Sequence, residues 1–410
     1  MKTSKFYLNK NFDSDQKSKI SDNIKVIQIS PASVSVYMKG QKTLKQMILD
    51  DWYSLTAQQL KKYYPKMEVE CWTPEKAFKK RREFVNNGVR YRQFPTTFSP
   101  MYGLDLSIDM LKAMKEEIRK AKESDTKIIF QLHEYHNLHG LVIASLFKGQ
   151  RIIAQHHGGS WPLKHLKQNK RYRFFFPAFF IAQIWENIVL RNIPVFFALS
   201  QEEINYLKKK APNSKIRFQT MGIDDFYFGY TKKEEARKKL KWPPDKRILL
   251  FLGRLIDVKG LTYLIDAMEE LPNCELKVIG WGEEEKFKNY AKSKKLNNVE
   301  FLGPIFGEKK CLYLSAADAL VLPSSKEGAP VTVMEALARN LPVVVTDIGG
   351  VKLMIENRRE GMIIKQKSSN EIVKAVGEIL KWKKKNVKKY AEKYRWRGII
   401  NSTVKDYLGK

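Results

Sequence analysis

The chain has 410 residues, a length that exceeds what one hydrophobic core usually supports and that excludes a single small module. Hydrophobic residues make up 43% of the chain, which argues against intrinsic disorder although 29% of the residues are charged. The 75 Lys and Arg residues outnumber the 44 Asp and Glu residues and leave a net charge of +31. This excess predicts a polyanionic partner, which could be nucleic acid, an acidic membrane surface or a phosphorylated ligand.

The segment 1–23 is polar and rich in lysine, and we expect it to form a flexible basic tail. It contains no apolar run typical of a secretory signal, which predicts a cytoplasmic protein. The three cysteines form no C-x-x-C pair, which fits a reducing compartment and argues against a cysteine zinc site. The sequence Asp13-Ser14-Asp15 is the only D-x-D, a metal–nucleotide signature, and its position in this tail indicates chance.

After this tail, short apolar runs alternate with amphipathic segments, a pattern typical of βα units that build parallel sheets. In the first half we predict strands at 24–29, 128–132, 152–155 and 195–199. Pro212 interrupts a helical pattern, which places a domain boundary near 212–220. The pattern therefore predicts a first Rossmann-like domain over 24–215.

All six histidines lie between His133 and His165. Clustered imidazoles are found at zinc sites, so a metal hydrolase is one alternative. However, His133-Glu134-Tyr135-His136 is not an H-E-x-x-H motif, and Glu134 is the only carboxylate close by in sequence. We therefore expect structural or supporting roles for most of these histidines.

A basic stretch leads into an aromatic one in this half of the chain. Residues 148–173 include seven Lys or Arg and no Asp or Glu, and residues 174–185 read FFFPAFFIAQIW. The apolar stretch is too short for a transmembrane helix. Either it packs inside the first domain, or it contacts an anionic membrane surface. The candidate residues for membrane or acceptor contact are Arg171, Arg173, Phe174, Phe175 and Phe176.

In the second half, the predicted strands are 248–252, 276–279, 299–302, 319–322 and 343–346, with helices that begin near Glu308 and Val331. This alternation predicts a second Rossmann-like domain over 216–390. Residues 394–407 carry apolar side chains at helical spacing, so we expect residues 391–410 to form a C-terminal helix.

The loop after the strand 248–252 reads Gly253-Arg254-Leu255-Ile256-Asp257-Val258-Lys259-Gly260. A glycine at the end of a strand lets a ligand approach the backbone, at the edge where doubly wound sheets bind ligands. Arg254 and Lys259 would place two cations there, which suits a diphosphate. The alternative is an ordinary basic loop.

A second motif runs from Pro323 to Ala336, and Pro330 in it predicts the start of a helix. The free N–H groups at such a helix start attract phosphate. Glu327 lies in the loop before the helix, and Glu335 lies eight positions further on. A carboxylate can accept hydrogen bonds from two hydroxyls, as a ribose or a hexose presents them.

The loop from Gly253 to Gly260 has the pattern G-R-x(4)-K-G, and Glu327 and Glu335 form the pattern E-x(7)-E. With these two patterns in this order, the sequence resembles the family-four retaining glycosyltransferases of GT-B fold, which are of the glycosyl transferase group 1 type. Supporting motifs are Gly280-Trp281-Gly282, Phe301-Leu302-Gly303 and Gly349-Gly350. The resemblance covers roughly 24–407 and is strongest over 221–364. It implies two doubly wound Rossmann-like domains that face a cleft, with the C-terminal helix returning to the first domain. Met221 and Leu353 depart from the residues that are common in the family, Asn and Glu.

The resemblance also implies roles for individual residues. Arg254 and Lys259 would bind the donor diphosphate, Glu335 the ribose and Glu327 the transferred sugar. His157 resembles the active-site histidine of the family, and Gly40 would belong to its N-terminal glycine-rich loop. The further donor-binding candidates are Gly253, Gly280, Leu302, Gly328, Ala329, Val331 and Thr332.

The implied function is the metal-independent transfer of a hexose-type sugar from a nucleotide-sugar to a glycan or lipid-linked acceptor, without a cofactor and with retention of configuration. A GT-B phosphorylase or a nucleotide-sugar epimerase is the alternative within the fold. Nucleic-acid binding is disfavoured because no recognition motif accompanies the charge. The stretches 148–173 and 381–397 hold 15 of the 31 excess positive charges, which favours a peripheral position at the inner face of a membrane.

Overall fold

The computed structural model describes residues 23–30, 33, 43–99, 105–157, 176–382 and 386–409, with only the backbone of residues 176–179. The chain divides into two compact units. The first comprises Met1–Gln219 with Ile399–Lys410, and the second comprises Thr220–Gly398. Each unit is built around a sheet that is parallel or nearly so. The predicted two-domain α/β fold class is therefore confirmed.

The first unit contains an eight-stranded sheet in the order β3-β4-β2-β1-β5-β6-β7-β8. Its strands are β1 (Ile24–Ile29), β2 (Glu68–Glu75), β3 (Arg82–Asn86), β4 (Val89–Pro95), β5 (Lys127–His133), β6 (Arg151–Gln155), β7 (Val195–Ala198) and β8 (Lys215–Phe218). Only β3 runs antiparallel to its neighbour, β4. Every residue of β1 is buried, as expected for a central strand of a sheet with both faces covered.

The helices of the first unit are α1 (Leu44–Leu49), α2 (Trp52–Tyr63), α3 (Ile108–Glu123), α4 (Leu138–Leu146), α5 (Phe176–Val189) and α6 (Gln201–Lys210). Each of α3, α4 and α6 begins after a polar residue whose side chain accepts a hydrogen bond from a backbone N–H of the first turn. Met110, Leu111 and Met114 on α3 pack into the core with Ile27, Ile29 and other apolar residues of the sheet. The apolar residues of α3 recur at helical spacing because one face of this helix is buried against the sheet.

The second unit contains a six-stranded, fully parallel sheet in the order β11-β10-β9-β12-β13-β14. Its strands are β9 (Arg247–Leu252), β10 (Cys274–Ile279), β11 (Val299–Phe301), β12 (Ala319–Leu322), β13 (Val343–Thr346) and β14 (Gly361–Ile364). The helices are α7 (Lys233–Leu240), α8 (Leu261–Ala267), α9 (Glu284–Ser293), α10 (Lys310–Ala316), α11 (Val331–Ala338), α12 (Val351–Met354) and α13 (Ser369–Ile379). Strands β12 and β13 are buried at every residue.

The last helix, α14 (Trp396–Leu408), begins in the second unit, but its residues from Ile399 onward belong to the first. Within the first unit its Tyr407 is fully buried and hydrogen-bonds to Gln28 of β1. Asp406 is buried as well, and it pairs with Lys215 and Arg217 of β8. These contacts hold the end of the chain against the sheet of the first unit.

The structure contains each of the nine strands that the sequence predicts. It also contains five that were not predicted, namely β2, β3, β4, β8 and β14. The predicted helix near Val331 begins at that residue. The helix near Glu308 begins with a 3-10 turn over Gly307–Lys309 and continues as α10.

Candidate active site

The loop after β9 leaves the carboxyl edge of the second sheet. Gly253 ends the strand, and its N–H donates to the carbonyl of Ile279 at 3.1 Å. Arg254 follows it as an exposed residue, and its guanidinium makes no side-chain hydrogen bond or ion pair with the residues that the structure describes. Leu255 is buried and anchors the loop. The geometry therefore leaves the Arg254 cation available at the edge where parallel sheets bind ligands.

A glycine brings the other cation of this loop close to the next strand. Gly260 has φ +71°, and a Cβ atom there would lie 2.0 Å from the carbonyl oxygen of Pro323, just after β12. Only glycine allows this approach. As a result, the Lys259 ammonium lies 2.6 Å from Oε1 of Glu327. The two sequence motifs, 68 positions apart, therefore meet in one place.

Glu327 is held by two partners. Its Oε1 accepts hydrogen bonds from the Lys259 ammonium at 2.6 Å and from the Ser324 hydroxyl at 2.8 Å. Both Lys259 and Glu327 are mostly buried, so their charges are weakly screened by solvent. This carboxylate has a fixed orientation, and its second oxygen is not used in either bond.

Glu335 lies on α11 among apolar neighbours and is 4% exposed. Its Oε1 lies 2.5 Å from the ammonium of Lys310, the first residue of α10. Burial raises the pKa of Glu335, and the Lys310 charge acts in the opposite direction. Its Oε2 is buried and has no hydrogen-bond partner within the described part of the chain. One oxygen of this carboxylate thus retains an unused acceptor.

Tyr227 lies beside this pair. The Lys310 ammonium lies 5.2 Å from the centre of its ring. Burial and the nearby Glu335 carboxylate both raise the pKa of the Tyr227 phenol. Sequence reasoning identified Glu335 but neither Lys310 nor Tyr227, because nothing in the local sequence relates these positions.

Helix α11 begins at Val331, directly after Pro330, and no side chain caps it. The first amides of a helix have no partner within it, so those of Val331 and Thr332 are available to a ligand. The loop before the helix is supported by a glycine pair: Gly350 donates its N–H to the carbonyl of Gly328 at 2.6 Å. Gly349 has φ +53°, and a Cβ atom there would lie 1.9 Å from the carbonyl oxygen of Glu327.

The remaining donor-binding candidates lie at the same edge of the second sheet. Gly280 follows β10, and its N–H donates to the carbonyl of Gly303 at 3.0 Å. Leu302 follows β11 and is half-buried. Ala329, in the loop before α11, is half-buried too. The structure therefore brings the predicted residues of the second unit to one edge, and their roles in binding stay predictions.

One cavity of the second unit lies at the opposite edge of its sheet. It has a volume of about 470 Å³ and includes Lys233, Arg247 and Asp318 in its lining. Arg247 begins β9, and Asp318 directly precedes β12, so this cavity opens at the amino ends of the strands. Ligands of doubly wound folds bind at the carboxyl ends, so we assign the candidate site to the other edge.

In the first unit, His157 follows β6 and belongs to a group of paired rings. Its Nε2 lies 2.7 Å from Nδ1 of His133, and its backbone N–H donates to Glu134 at 2.6 Å. Its ring meets the edge of the Trp52 ring with centroids 4.7 Å apart. Burial lowers the pKa of His157 to about 4, so the ring is neutral near pH 7.

The other described histidines, His136, His139 and His156, are buried, and the structural or supporting roles expected for them stay predictions. His156 contacts the Glu134 carboxylate at 2.6 Å, and His136 lies 3.2 Å from Glu186. Burial lowers the pKa of His139 to about 4. Among the residues that the structure describes, no group of three or more His, Cys, Asp or Glu could hold a metal ion.

Several predicted residues lie outside the described part of the chain. They are Gly40, Arg171, Arg173, Phe174 and Phe175, together with the tail before Asn23. The side chain of Phe176, the first residue of α5, is also outside it.

Helix α5 presents an apolar face to solvent. Phe180, Ile181, Ile184 and Ile188 are between 48% and 65% exposed, and their spacing places them on one side of the helix. On another side, Trp185 donates to the Ser145 hydroxyl at 2.9 Å. The alternative that the segment 174–185 packs inside the domain is therefore wrong for Phe180, Ile181 and Ile184, and Ile188 extends the exposed face beyond that segment. None of the helices in the described ranges is long and apolar enough to span a bilayer.

Comparison with known proteins shows a family resemblance over part of the second unit. Residues 232–395 match the family model described as glycosyl transferases group 1. A protein of Bacillus subtilis (strain 168), provisionally named a teichuronic acid biosynthesis glycosyltransferase, is 37% identical over 146 residues, which are 35% of this chain and 36% of that protein. Across eight curated relatives, the chain spans 36–59% of the relative's length.

Solved structures match over nearly the whole chain. Sucrose-phosphate synthase from Thermosynechococcus elongatus has a TM-score of 0.67 and 18% identity, and the match covers 94% of this chain and 98% of that one. HepE of Anabaena, solved with UDP and glucose, has a TM-score of 0.63 and 15% identity over 94% of this chain and 100% of that one. These matches show the fold, which is the GT-B type. By sequence, residues 232–395 are therefore similar to the glycosyl transferases of group 1, and the chain has the GT-B fold.

Proposed function

We propose that the protein is a retaining glycosyltransferase that moves a hexose-type sugar from a nucleotide-sugar to a hydroxyl of a glycan or lipid-linked acceptor. The observation that carries the proposal is the Lys259–Glu327 pair at the carboxyl edge of the second sheet, with Arg254 in the same loop as Lys259 and Glu335 on the helix that follows Glu327. All four residues lie within the segment that matches the family model. HepE, which shares the fold, was solved with UDP-glucose, and this supports a nucleotide-sugar as donor.

The donor diphosphate would be neutralised by Arg254 and Lys259. Arg254 makes no ion pair with described residues, so its full charge is available. Lys259 shares its charge with Glu327 and would divide its N–H groups between this carboxylate and a phosphate. Two side-chain cations and the amides at the start of α11 supply the positive charge that a metal ion provides elsewhere. We therefore propose that transfer needs neither metal nor cofactor.

The two carboxylates would recognise the hydroxyl groups of the donor. Glu335 has a buried oxygen that lacks a partner among the described residues, and this oxygen can accept a hydrogen bond from a ribose hydroxyl. Glu327, which is oriented by Lys259 and Ser324, would accept from hydroxyls of the transferred sugar. In the first unit, His157 is the proposed contact of the sugar ring.

In the proposed reaction, the bond between the anomeric carbon and the β-phosphate oxygen breaks and its electron pair leaves with the diphosphate. The acceptor hydroxyl oxygen forms the new bond on the same face, which retains the configuration. The hydroxyl proton passes to the leaving phosphate oxygen, so no enzyme nucleophile is needed. Arg254 and Lys259 accelerate the step because negative charge grows on the diphosphate as the bond breaks.

The proposal is tested with a panel of nucleotide-sugars. Ligand-induced shifts of the melting temperature identify the donor, and mass spectrometry of the products identifies transfer. Arg254→Ala should lower kcat/KM by about 100-fold, the effect of losing one charge-stabilising group. Arg247→Ala is the matched control, since Arg247 starts the strand that Arg254 follows. Equal activity of the two variants would contradict the assignment of the diphosphate site.

Product analysis also separates the alternatives. A phosphorylase needs inorganic phosphate and releases a sugar 1-phosphate, and an epimerase converts the donor without any acceptor. Transfer that depends on an acceptor hydroxyl and releases a nucleoside diphosphate supports the transferase. A filter-binding series over salt concentration tests nucleic-acid binding, which should be absent at physiological salt.

We further propose that α5 holds the protein on an anionic membrane surface, where a lipid-linked acceptor would lie. The exposed Phe180, Ile181, Ile184 and Ile188 form an apolar face that follows the basic stretch 148–173. Apolar insertion combined with basic charge is typical of interfacial binding. Flotation with vesicles that contain phosphatidylglycerol should recover more protein than flotation with neutral vesicles, and equal recovery would contradict the proposal.

A further inference from the structure

A row of buried polar side chains crosses the sheet of the first unit. Gln28 lies on β1, Gln131 and His133 lie on β5, and Gln155 ends β6. All four are at most 4% exposed, although their strands are otherwise strongly apolar. Buried amides and imidazoles are costly unless they bond to each other, so this row must be satisfied internally. Its last member is His157, the proposed sugar contact.

The direction of the hydrogen bonds is fixed at one end of the row. Nε2 of Gln155 lies 3.3 Å from the backbone carbonyl of Gln219. A carbonyl can only accept, so the Gln155 amide group donates there and turns its oxygen towards Gln131. Gln131 therefore donates to Gln155 through its Nε2, at 3.3 Å. Its own oxygen then faces Gln28.

The direction of the hydrogen bonds is set in the same way from Gln131 through Gln28 to the imidazole of His133. Gln28 donates through Nε2 to Gln131 at 3.3 Å, which leaves the Gln28 oxygen to accept from Nε2 of His133 at 2.6 Å. Tyr407 fits this orientation: its hydroxyl donates to the Gln131 oxygen and accepts from Nε2 of Gln28 at 3.0 Å. In this arrangement every amide group of the row donates at least one N–H and accepts through its oxygen.

The orientation decides the tautomer of both histidines. Burial lowers the pKa of His133 well below its usual value and that of His157 to about 4, so both rings are neutral near pH 7. His133 carries its proton on Nε2, and its Nδ1 must therefore accept from Nε2 of His157. His157 is left with an unprotonated Nδ1, which is buried and has no partner among the described residues.

We propose that the row from the Gln219 carbonyl to His133 holds His157 with its proton on Nε2, so that Nδ1 acts only as an acceptor and selects a hydroxyl of the ligand. A carbonyl or carboxylate oxygen has no proton to offer at this position and is disfavoured. His133 and Gln28 are thus positioning residues, which act through His157. The hydroxyl as ligand rests on the proposed function, whereas the direction of the hydrogen bonds does not.

The direction is tested on the full, ligand-free chain with ¹⁵N-labelled histidine, which gives only six ring systems. Nitrogen shifts distinguish protonated from bare ring nitrogens, and a coupling across the N–H···N bond identifies the His133–His157 pair. We expect the shared proton to be covalently bound to Nε2 of His157. A proton bound to Nδ1 of His133 would overturn the proposal, because His157 would then present an N–H at Nδ1.

The positioning role is tested with two variants of His133. Asparagine can place its amide oxygen where Nδ1 of His133 stands, so His133→Asn keeps an acceptor for His157, whereas His133→Leu removes it. Relative to His133→Asn, His133→Leu should lower kcat/KM for the donor by about tenfold and leave the affinity for the free nucleoside diphosphate unchanged. Equal turnover by the two variants would overturn the positioning role, even if the spectrum confirms the direction.

Monodeoxy analogues of the sugar in the identified donor test the hydroxyl itself. One analogue should lose about tenfold in kcat/KM with wild-type protein and much less with His133→Leu, because the contact is already impaired in that variant. If each analogue lowers kcat/KM by the same factor in wild-type protein and in His133→Leu, the proposal that His157 selects a hydroxyl is wrong. A protein that transfers no sugar at all would instead contradict the proposed function, and the spectrum would still decide the direction of the row.

Discussion

The substitution Lys310→Met would leave the Glu335 carboxylate buried without its counter-charge. The two charged groups lie 2.5 Å apart, and their side chains are 15% and 6% exposed. Removing one partner of such a pair typically costs about 3–5 kcal/mol. The protein can limit this cost by protonating Glu335, whose pKa burial already raises. The loss of stability should therefore depend on pH.

The size of the effect follows from the usual pKa of a glutamate, 4.5. Protonating such a group costs about 1.4 kcal/mol for each pH unit above its pKa, hence about 3 kcal/mol at pH 7 and about 1 kcal/mol at pH 5. These figures are upper limits for the loss relative to wild type, because burial raises the pKa of Glu335 in the wild type as well. A carboxyl whose pKa is raised in the folded state contributes its stability below the unfolded pKa and loses it as pH rises through the folded pKa. The Lys310→Met variant, with a still higher pKa, should thus be most destabilised at neutral and alkaline pH.

Thermal unfolding at two pH values measures this difference. For a unit of this size, about 1 kcal/mol corresponds to roughly 2–4 °C, so the variant should melt at most about 6–12 °C below wild type at pH 7 and at most about 2–4 °C below it at pH 5. Hydrogen exchange of peptides from α11 would confirm that the second unit is affected. In the double variant Lys310→Met/Glu335→Gln, the extra loss at pH 7 should vanish. An equal loss at both pH values in the single variant would refute the reasoning.

Three further changes have outcomes that can be measured directly. Gly349→Ala should lower the melting temperature and impair donor binding, because its Cβ atom would lie 1.9 Å from the Glu327 carbonyl oxygen at a φ of +53°; unchanged donor affinity would contradict the support that this glycine gives the loop. Tyr407→Phe should cost about 1–3 kcal/mol in the free energy of unfolding, since a buried N–H of Gln28 loses its acceptor; chemical denaturation measures it, and a neutral effect would argue against the row as drawn. Ile181→Asp, but not the matched change Val85→Asp on the exposed edge strand β3, should reduce flotation with anionic vesicles, and equal behaviour of the two variants would argue against α5 as the contact surface.

The strands that could be predicted from the sequence are those buried among apolar side chains. Strand β9 reads RILLFL and β12 reads ALVL, and such runs leave little alternative to a central parallel strand. Strand β2 was missed because it carries Glu70 at full burial. That charge is neutralised by Lys25 of β1 at 2.9 Å and by Arg92 of β4 at 3.1 Å, partners that are not adjacent in sequence. A local sequence pattern cannot predict a buried charged residue whose partners lie on neighbouring strands.

In the candidate site, too, the sequence predicts the functional residues but not the partners that hold them. The spacing of Arg254, Lys259, Glu327 and Glu335 could be read because loops at the ends of parallel strands meet at one edge. The partners of these residues could not be predicted from the sequence, because they are distant in the chain. Lys310, for example, lies 25 positions from Glu335 and on a different helix. Among the glycines, the sequence indicates where the chain turns, and only the structure shows which carbonyl each glycine allows to approach.

The two units organise their candidate residues by different physical means. In the second, glycine-backed loops hold full charges close together, and the stability of these groups depends on pH through the Lys310–Glu335 pair. In the first, the side chains of the row that ends at His157 are neutral, and the direction of their hydrogen bonds determines the tautomer of His157. A charge can be displaced by salt or titration, whereas a direction set by a backbone carbonyl persists as long as the row is intact. We therefore expect the tautomer of His157 to be insensitive to ionic strength and donor binding in the second unit to weaken as ionic strength rises. Nitrogen shifts and donor affinity, each measured from low to high salt, would test both expectations, and a tautomer that changes with salt would contradict this account of the first unit.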